Sequence, residues 1–329
     1  MEKTSEARGV ISKTGASWRS DLLQVLACPI DHSALRTVDG ELTCEQRHRF
    51  AIEQEIPVFS SHPRRERVPC NMEACNYLDK DRAIDPFVDD WVVNTNGNLY
   101  RKVRGKLPRY PIPQWPFLPG EGKLLVDVGC SWGRWTMAAA RAGYRPIGMD
   151  VHLDALAAAT RVSQQLGIKT DFVCAGAEAL PFQAASIDLL FCYSVLQHLE
   201  RATVRGFFRE VARLLKPGGI CLVQLPNTFG LYNILRQLKR GCREAKPGTF
   251  EMRYWGRSEI QKTVDDAGLK NLCIRADGFF SQNPQLSDLD LLSAGGKLIV
   301  LASEAGRKAS TVLPIFTHVA DSLWVEARA

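Results

Sequence analysis

No run in this 329-residue chain approaches the roughly 18 consecutive apolar residues that a membrane-spanning helix requires. The opening residues, MEKTSEARGV, also lack the apolar h-region of a secretory signal. Both absences predict a cytoplasmic protein, whose ten cysteines are then expected to be reduced rather than paired. No internal repeat is visible, which excludes solenoids and propellers. There is also no strong excess of one charge. The net value of +6 permits an anionic partner without requiring one. Apolar content of 45% and charged content of 24% are those of an ordinary globular chain. At about 150 residues per domain, the length allows two domains.

What is present centres on residues 124–136, LLVDVGCSWGRWT. An unbroken apolar run ending in Asp127 reads as a strand buried on both faces of a parallel sheet. Gly129 and Gly133 follow, then a segment rich in helix formers. Strand, glycine turn and helix together aim backbone N–H groups and a helix N-terminus at a ligand. Asp127 lies at the carboxyl end of its strand, where open α/β sheets bind ligands. A second acid-ended strand, PIGMD, closes on Asp150. Beyond it, strands near 169–174, 187–193 and 218–225 alternate with helices near 153–166 and 200–215. Short crossovers of this kind require parallel strands with helices on both faces. A helix near 258–267, a strand near 271–276 and a closing antiparallel strand at 322–326 complete the expected sheet.

The turn is not the G-x-G-x-x-G of a dinucleotide site. With its leading acid, DVGCSWG resembles motif I of the class I S-adenosylmethionine (SAM)-dependent methyltransferases, D-x-G-x-G-x-G, with Ser131 in place of the middle glycine. DFVCAGAEALPF (171–182), SIDLLFCYSVLQHL (186–199) and VARLLKPGGICLVQL (211–225) resemble that family's later motifs, in its order. The resemblance, to the type 11 methyltransferases, implies a Rossmann-like α/β fold with a mostly parallel seven-stranded sheet. It also implies that Asp127, Gly129, Cys130, Ser131 and Gly133 hold the methionine end of SAM, Asp127 facing its ammonium. Asp150, followed by Val151, would take the ribose hydroxyls. Ala177 and Glu178 would flank the adenine, although Gly176 stands where many members carry Asp. Tyr193 and Ser194 would form the lip of the pocket. His198 is the candidate base for a hydroxyl acceptor, against a purely structural role at a helix start. The N-P-P-Y tetrapeptide of base amino-group methylation is absent; CYSV (192–195) takes its place. Cys130 and Cys192 read as small buried apolar residues.

Ahead of this core, residues 20–60 read as short β-type runs. A unit of that size usually needs a metal or a partner surface. Cys28-Pro-Ile-Asp31 and Cys44-x-x-x-His48 have the offsets of two zinc knuckles, with Asp31 where a second cysteine would stand. The stretch resembles the zinc-ribbon-like activators of tRNA methyltransferases and the ribbon of some ribosomal RNA guanine methyltransferases. Cys28, Asp31, Cys44 and His48 are therefore the expected metal ligands, with zinc as the metal; loss of the metal with retention of the fold is the other reading. Cys70 and Cys75 lie beyond the ribbon.

The expected organisation is a disordered tail (1–19), a zinc-ribbon-like domain (20–60), a linker (61–90) and a methyltransferase domain (91–329) with insertions near 226–256 and 278–312. Two basic clusters, 101–109 and 236–246, fall in the segment before the first core strand and in the first insertion. The leading expectation is methyl transfer from SAM to a small-molecule or lipid-linked acceptor. The alternative is methylation of tRNA or rRNA through the ribbon and basic clusters, and the third reading is a non-catalytic SAM-binding partner protein.

Overall fold

The computed structural model describes residues 19–60, 63, 84–280 and 285–329. The expected tail (1–19, except residue 19), most of the expected linker, and Cys70 and Cys75 lie outside the described residues.

The sheet is built on the acid-ended strands. Leu124–Val128 (β5) is buried throughout, as its apolar run requires. Its side chains alternate between two cores: Leu124, Val126 and Val128 pack on one face, Leu125 on the other. Asp127 shares the face of Leu125, where Trp132, Trp135 and Tyr193 gather. Parallel neighbours Arg145–Asp150 (β6) and Ile187–Cys192 (β8) flank it, with Asp171–Cys174 (β7) beyond β6 and Leu215–Pro226 (β9) beyond β8. Ser322–Arg328 (β11) inserts antiparallel between β9 and Lys270–Gly278 (β10).

The sheet does not stop at seven strands. It has eleven, because the hairpins Arg36–Val38 (β1), Glu41–Thr43 (β2), Arg49–Glu53 (β3) and Ile56–Val58 (β4) continue it past β7. This corrects the expectation of a seven-stranded sheet preceded by a separate β-rich unit. The join is one parallel bridge, Val58 to Cys174, with the N–H groups of Phe59 and Ser60 donating to the Cys174 carbonyl at 2.8 and 3.3 Å. A second contact docks the N-terminal unit, since Ala27 N–H donates to Pro181 O and Gln183 N–H to Val25 O.

Two helices fall where the sequence showed no clear period. Pro86–Asn96 lies within and beyond the expected linker. Asp85 caps it by accepting from Phe87 N–H, Pro86 occupies its first turn, and the buried Asp85 carboxylate pairs with Arg161 at 2.7 Å. The Asp-Pro dipeptide was the available signal. Ala294–Val312, a 19-residue helix, fills most of the second insertion, capped by Ser293. The first insertion carries Leu231–Lys239.

Candidate functional site

Two cavities open at the carboxyl ends of the parallel strands. The first, about 770 Å³, is lined by Asp127, Gly129, Cys130, Ser131, Asp150, Val151, Ala177, Glu178, Tyr193, Ser194 and His198. Ser60, Trp91, Asn94, Thr95, Arg134, Trp135 and His152 complete its wall. Apart from Gly133, every residue expected to meet SAM is thus brought to one cavity.

The turn after β5 is shaped by contact. Gly129, at φ 76°, has no room for a Cβ, which would collide with the Val195 side chain. Gly133, at φ 79°, begins the helix Arg134–Arg141 against Phe172 and Ala159. Ser131 stands between them at φ 50°, a left-handed conformation that favours glycine. Ser194, across the cavity, is at φ 61°. Strained non-glycine residues of this kind persist where surrounding structure over-determines them, which is common at ligand sites.

Asp150 is held by the same turn. Its Oδ2 accepts from Ser131 N–H at 2.8 Å and its Oδ1 from His152 N–H at 2.9 Å. Burial raises its pKa, against the lowering effect of those two donors. Asp127 is 1% exposed and accepts from Thr136 Oγ1 at 2.7 Å. Burial pushes its pKa up to about 7, opposed by the Thr136 hydrogen bond and the Arg134 charge. Glu178 resolves the departure at Gly176: its carboxylate folds back into the volume a side chain at 176 would fill.

Arg134 went unnoticed in the sequence. Its guanidinium is buried, lies 5.9 and 5.8 Å from the ring centres of Trp135 and Tyr193, and forms no ion pair among the described residues. It occupies the first position of its helix, where the dipole disfavours a cation. Only an anion would relieve both costs. Arg134 Nη1, Ser131 Oγ, Trp135 Nε1 and His152 Nε2 are all buried without a hydrogen-bond partner among the described residues. Four orphaned polar atoms around one cavity are what an absent polar ligand leaves behind. The opposed charges of Asp127 and Arg134 match the ammonium and carboxylate of an amino-acid group, so the residues fit SAM.

His198 lines the cavity, but its ring is engaged on both sides. Nδ1 lies 2.9 Å from Phe250 O, and Nε2 lies 3.2 Å from the Gln197 side-chain nitrogen. Burial lowers its pKa. A neutral ring donating from Nδ1 and accepting at Nε2 satisfies both contacts.

The second cavity, about 750 Å³, shares Trp135 and Tyr193 with the first. Trp115, Phe117 and Trp324 supply further aromatic wall, and Asp277, Glu304 and Arg307 its charge. Tyr193 Oη donates to Asp277 Oδ2 at 3.1 Å, and Ser322 Oγ donates to the same oxygen at 2.6 Å. Burial raises the Asp277 pKa, against the lowering effect of the Ser322 and Tyr193 donors. Asp277 was not singled out in the sequence, because β10 carries no motif.

The four expected metal ligands also converge. One donor atom from each of Cys28, Asp31, Cys44 and His48 lies within 4.8 Å of all the others. His48 Nδ1 is 3.4 Å from Cys28 Sγ, 3.3 Å from Cys44 Sγ and 3.1 Å from Asp31 Oδ2; Cys44 Sγ is 3.3 Å from the same Asp31 oxygen. Zinc bonds of roughly 2.0–2.3 Å give tetrahedral edges of about 3.3–3.8 Å, so the donors fit one ion. Ser33 fixes the carboxylate through its N–H and hydroxyl, at 2.9 and 2.6 Å to Oδ1, leaving Oδ2 turned to the cluster.

The basic clusters are partly consumed within the chain. Arg104 pairs with Asp90, Arg109 with Asp288 and Asp290, and Arg243 with Glu251.

Residues 126–223 match a family described as a methyltransferase domain. Over 148 residues the chain is 32% identical to the biotin biosynthesis bifunctional protein BioHC of Cellvibrio japonicus, covering 45% of this chain and 28% of that protein. Over 135 residues it is 29% identical to the ubiquinone biosynthesis O-methyltransferase of Chelativorans sp., covering 38% of this chain and 53% of that protein. The chain therefore spans about half or less of these curated relatives. Among solved structures, a SAM-dependent methyltransferase from Archaeoglobus fulgidus is 17% identical with a TM-score of 0.45, over 73% of this chain and 98% of that one. The matched segment, with the acid-ended strands and glycine turn it contains, is similar to a methyltransferase domain.

Proposed function

We propose that the protein transfers the methyl group of SAM to a small-molecule or lipid-linked acceptor bound in the second cavity. The observation that carries this reading is the pair of adjoining cavities with Trp135 and Tyr193 as their common wall. SAM supplies an electrophilic methyl on a sulfonium, so the chain's task is to orient two reactants and exclude water, which can contribute about 7–11 kcal/mol. Asp127 and Arg134 hold the two charges of the methionine end, Asp150 the ribose hydroxyls, and Glu178 the adenine side. Asp277 accepts the acceptor's proton, directly or through Tyr193. The biosynthetic relatives support a small acceptor, as does the use of Arg104, Arg109 and Arg243 in internal ion pairs. The test is methyl incorporation from labelled SAM into total RNA and into small-molecule and lipid extracts of the same cells. Label is expected in the extracts. Label confined to a defined RNA, and lost on charge reversal at 101–109 and 236–246, would overturn the reading.

Asp127 gives this proposal a pH signature. Its folded pKa of about 7 lies above the value of about 4 for an unfolded aspartate. Between those values the folded chain holds a proton that the unfolded chain has lost, so the group's contribution to stability declines as pH rises from about 4 to 7. Pairing with an ammonium requires the ionised form. SAM affinity, measured by calorimetry, is expected to weaken as pH falls below about 7, by up to about tenfold per unit, and Asp127→Asn should flatten that limb. A flat profile in the unsubstituted protein would remove Asp127 from the ammonium.

We further propose that Cys28, Asp31, Cys44 and His48 bind one zinc ion that stabilises residues 20–60. Protein purified without chelator should carry close to one equivalent by elemental analysis, and Cys44→Ser should release it. Under about a tenth of an equivalent would reject a structural site of this type.

A further inference from the structure

The helix Leu231–Lys239 is turned inside out. Leu231, Ile234, Leu235 and Leu238 recur at the spacing of one helical face, which in a globular protein normally meets the core. Here that face is exposed: Leu231 is 54%, Leu235 53% and Leu238 59% accessible. The residue buried instead is Asn233, at 1%, whose amide donates to the carbonyls of Asn227 and Asp321. Asp321 also accepts from the N–H groups of Tyr232 and Asn233, at 2.8 and 2.9 Å, and from Phe280 N–H at 2.6 Å. These bonds fix the orientation of the helix, so its apolar face is held outward.

The exposure is concentrated in one stretch of the chain. Of nineteen large hydrophobic residues exposed among the described residues, fifteen fall between 229 and 316. The segment leading into the helix is tied to Ile315–Val319 and the residue after it, because Asn227 donates to the carbonyls of His318 and Ala320. Val312, Leu313 and Ile315 are exposed as well. A helix face of exposed apolar residues, held outward, marks an interaction surface.

We propose that this face docks on an anionic membrane surface, with the helix Leu231–Lys239 lying in the plane of the interface. Charge selects the occupant. Residues 229–251 contain five basic side chains and two acidic ones, of which Glu244 pairs with Arg201 and Glu251 with Arg243, so that Arg236, Lys239, Arg240 and Lys246 carry the excess positive charge. Lys239 and Lys246 form no ion pair among the described residues. Apolar side chains bordered by lysine and arginine are what an interfacial helix presents to anionic lipid. A second copy docked face to face would bring like charges together, since a two-fold interface apposes the same patch. Docking of this kind is independent of the acceptor's identity and holds whatever the reaction is.

The test is sedimentation of the full chain with vesicles of phosphatidylcholine alone and of phosphatidylcholine with phosphatidylglycerol. Binding is expected only to the mixed vesicles and should fall as salt is raised. Leu235→Glu with Leu238→Glu should reduce the vesicle partition coefficient by about tenfold or more. Lys239→Gln and Lys246→Gln should each cost about fivefold. Unchanged SAM affinity in the leucine variant shows that the fold is intact, because neither residue lines the cofactor cavity. Failure of the unsubstituted protein to bind either vesicle overturns the proposal. So does equal binding to both, or a dimer in sedimentation velocity that the leucine variant dissociates, which assigns the face to a second copy.

Discussion

Asp277→Asn is expected to lower turnover by about 10²–10⁴-fold, the usual contribution of a positioned proton acceptor, while SAM affinity stays the same. The carboxylate stands on the wall of the aromatic cavity and is joined to the cofactor side through Tyr193, 3.1 Å away. The amide preserves shape and hydrogen bonding but cannot take a proton. Burial raises the pKa of Asp277, and the ionised form is the one that accepts. Activity should therefore disappear as pH falls through a value above the ordinary carboxylate range, and the asparagine variant should lose that acid limb. His198→Ala is the companion measurement. With both imidazole nitrogens already engaged, by Phe250 O and the Gln197 amide, it should cost less than about tenfold. The opposite ranking of the two variants would return the proton to His198.

Asp150→Ala should weaken SAM binding by roughly a hundredfold or more, from the loss of two charge-assisted hydrogen bonds at about 1.5–3 kcal/mol each. Asp150 also braces the turn through Ser131 and His152, so part of the loss is a loss of pre-organisation. Asp150→Asn separates the two effects. It retains one of the two acceptor atoms at the turn and no charge, and its affinity should fall between those of the alanine variant and the unsubstituted protein. Calorimetry showing the same affinity in all three would remove Asp150 from the ribose.

The parts of this fold that could be read from sequence are those with a local period or punctuation. β5 and β6 announce themselves as apolar runs that end in Asp127 and Asp150, and the glycine turn between them limits what can follow. The residues that complete the site had no such signal. Arg134 is one arginine at the start of a helix; only its burial beside two aromatic rings distinguishes it from a solvated one. Asp277 follows Asp127 by 150 residues, and the pairing of β10 with β11 carries it to the cavity. Glu178 could be named but not aimed, because the space it enters exists only through the missing side chain at Gly176. The continuation of the sheet into the N-terminal hairpins was invisible for a related reason. One bridge, Val58 to Cys174, leaves no pattern in either segment. Inverted burial in Leu231–Lys239 was hidden too, since a helical stripe of leucines reads as core until its surroundings are known.

That single bridge ties two binding events together. The chain leaves β4 through Phe59 and Ser60, both hydrogen-bonded to Cys174 O, and Ser60 reaches the cavity that Ala175 and Ala177 line from the next residues of β7's strand end. A metal that orders residues 20–60 would thereby fix one edge of the cofactor's enclosure. Thermodynamic reciprocity then applies: by whatever factor zinc tightens SAM, SAM must tighten zinc. If the proposed zinc site is coupled in this way, chelation would loosen the cofactor, and depletion of the cofactor would loosen the metal by the same factor.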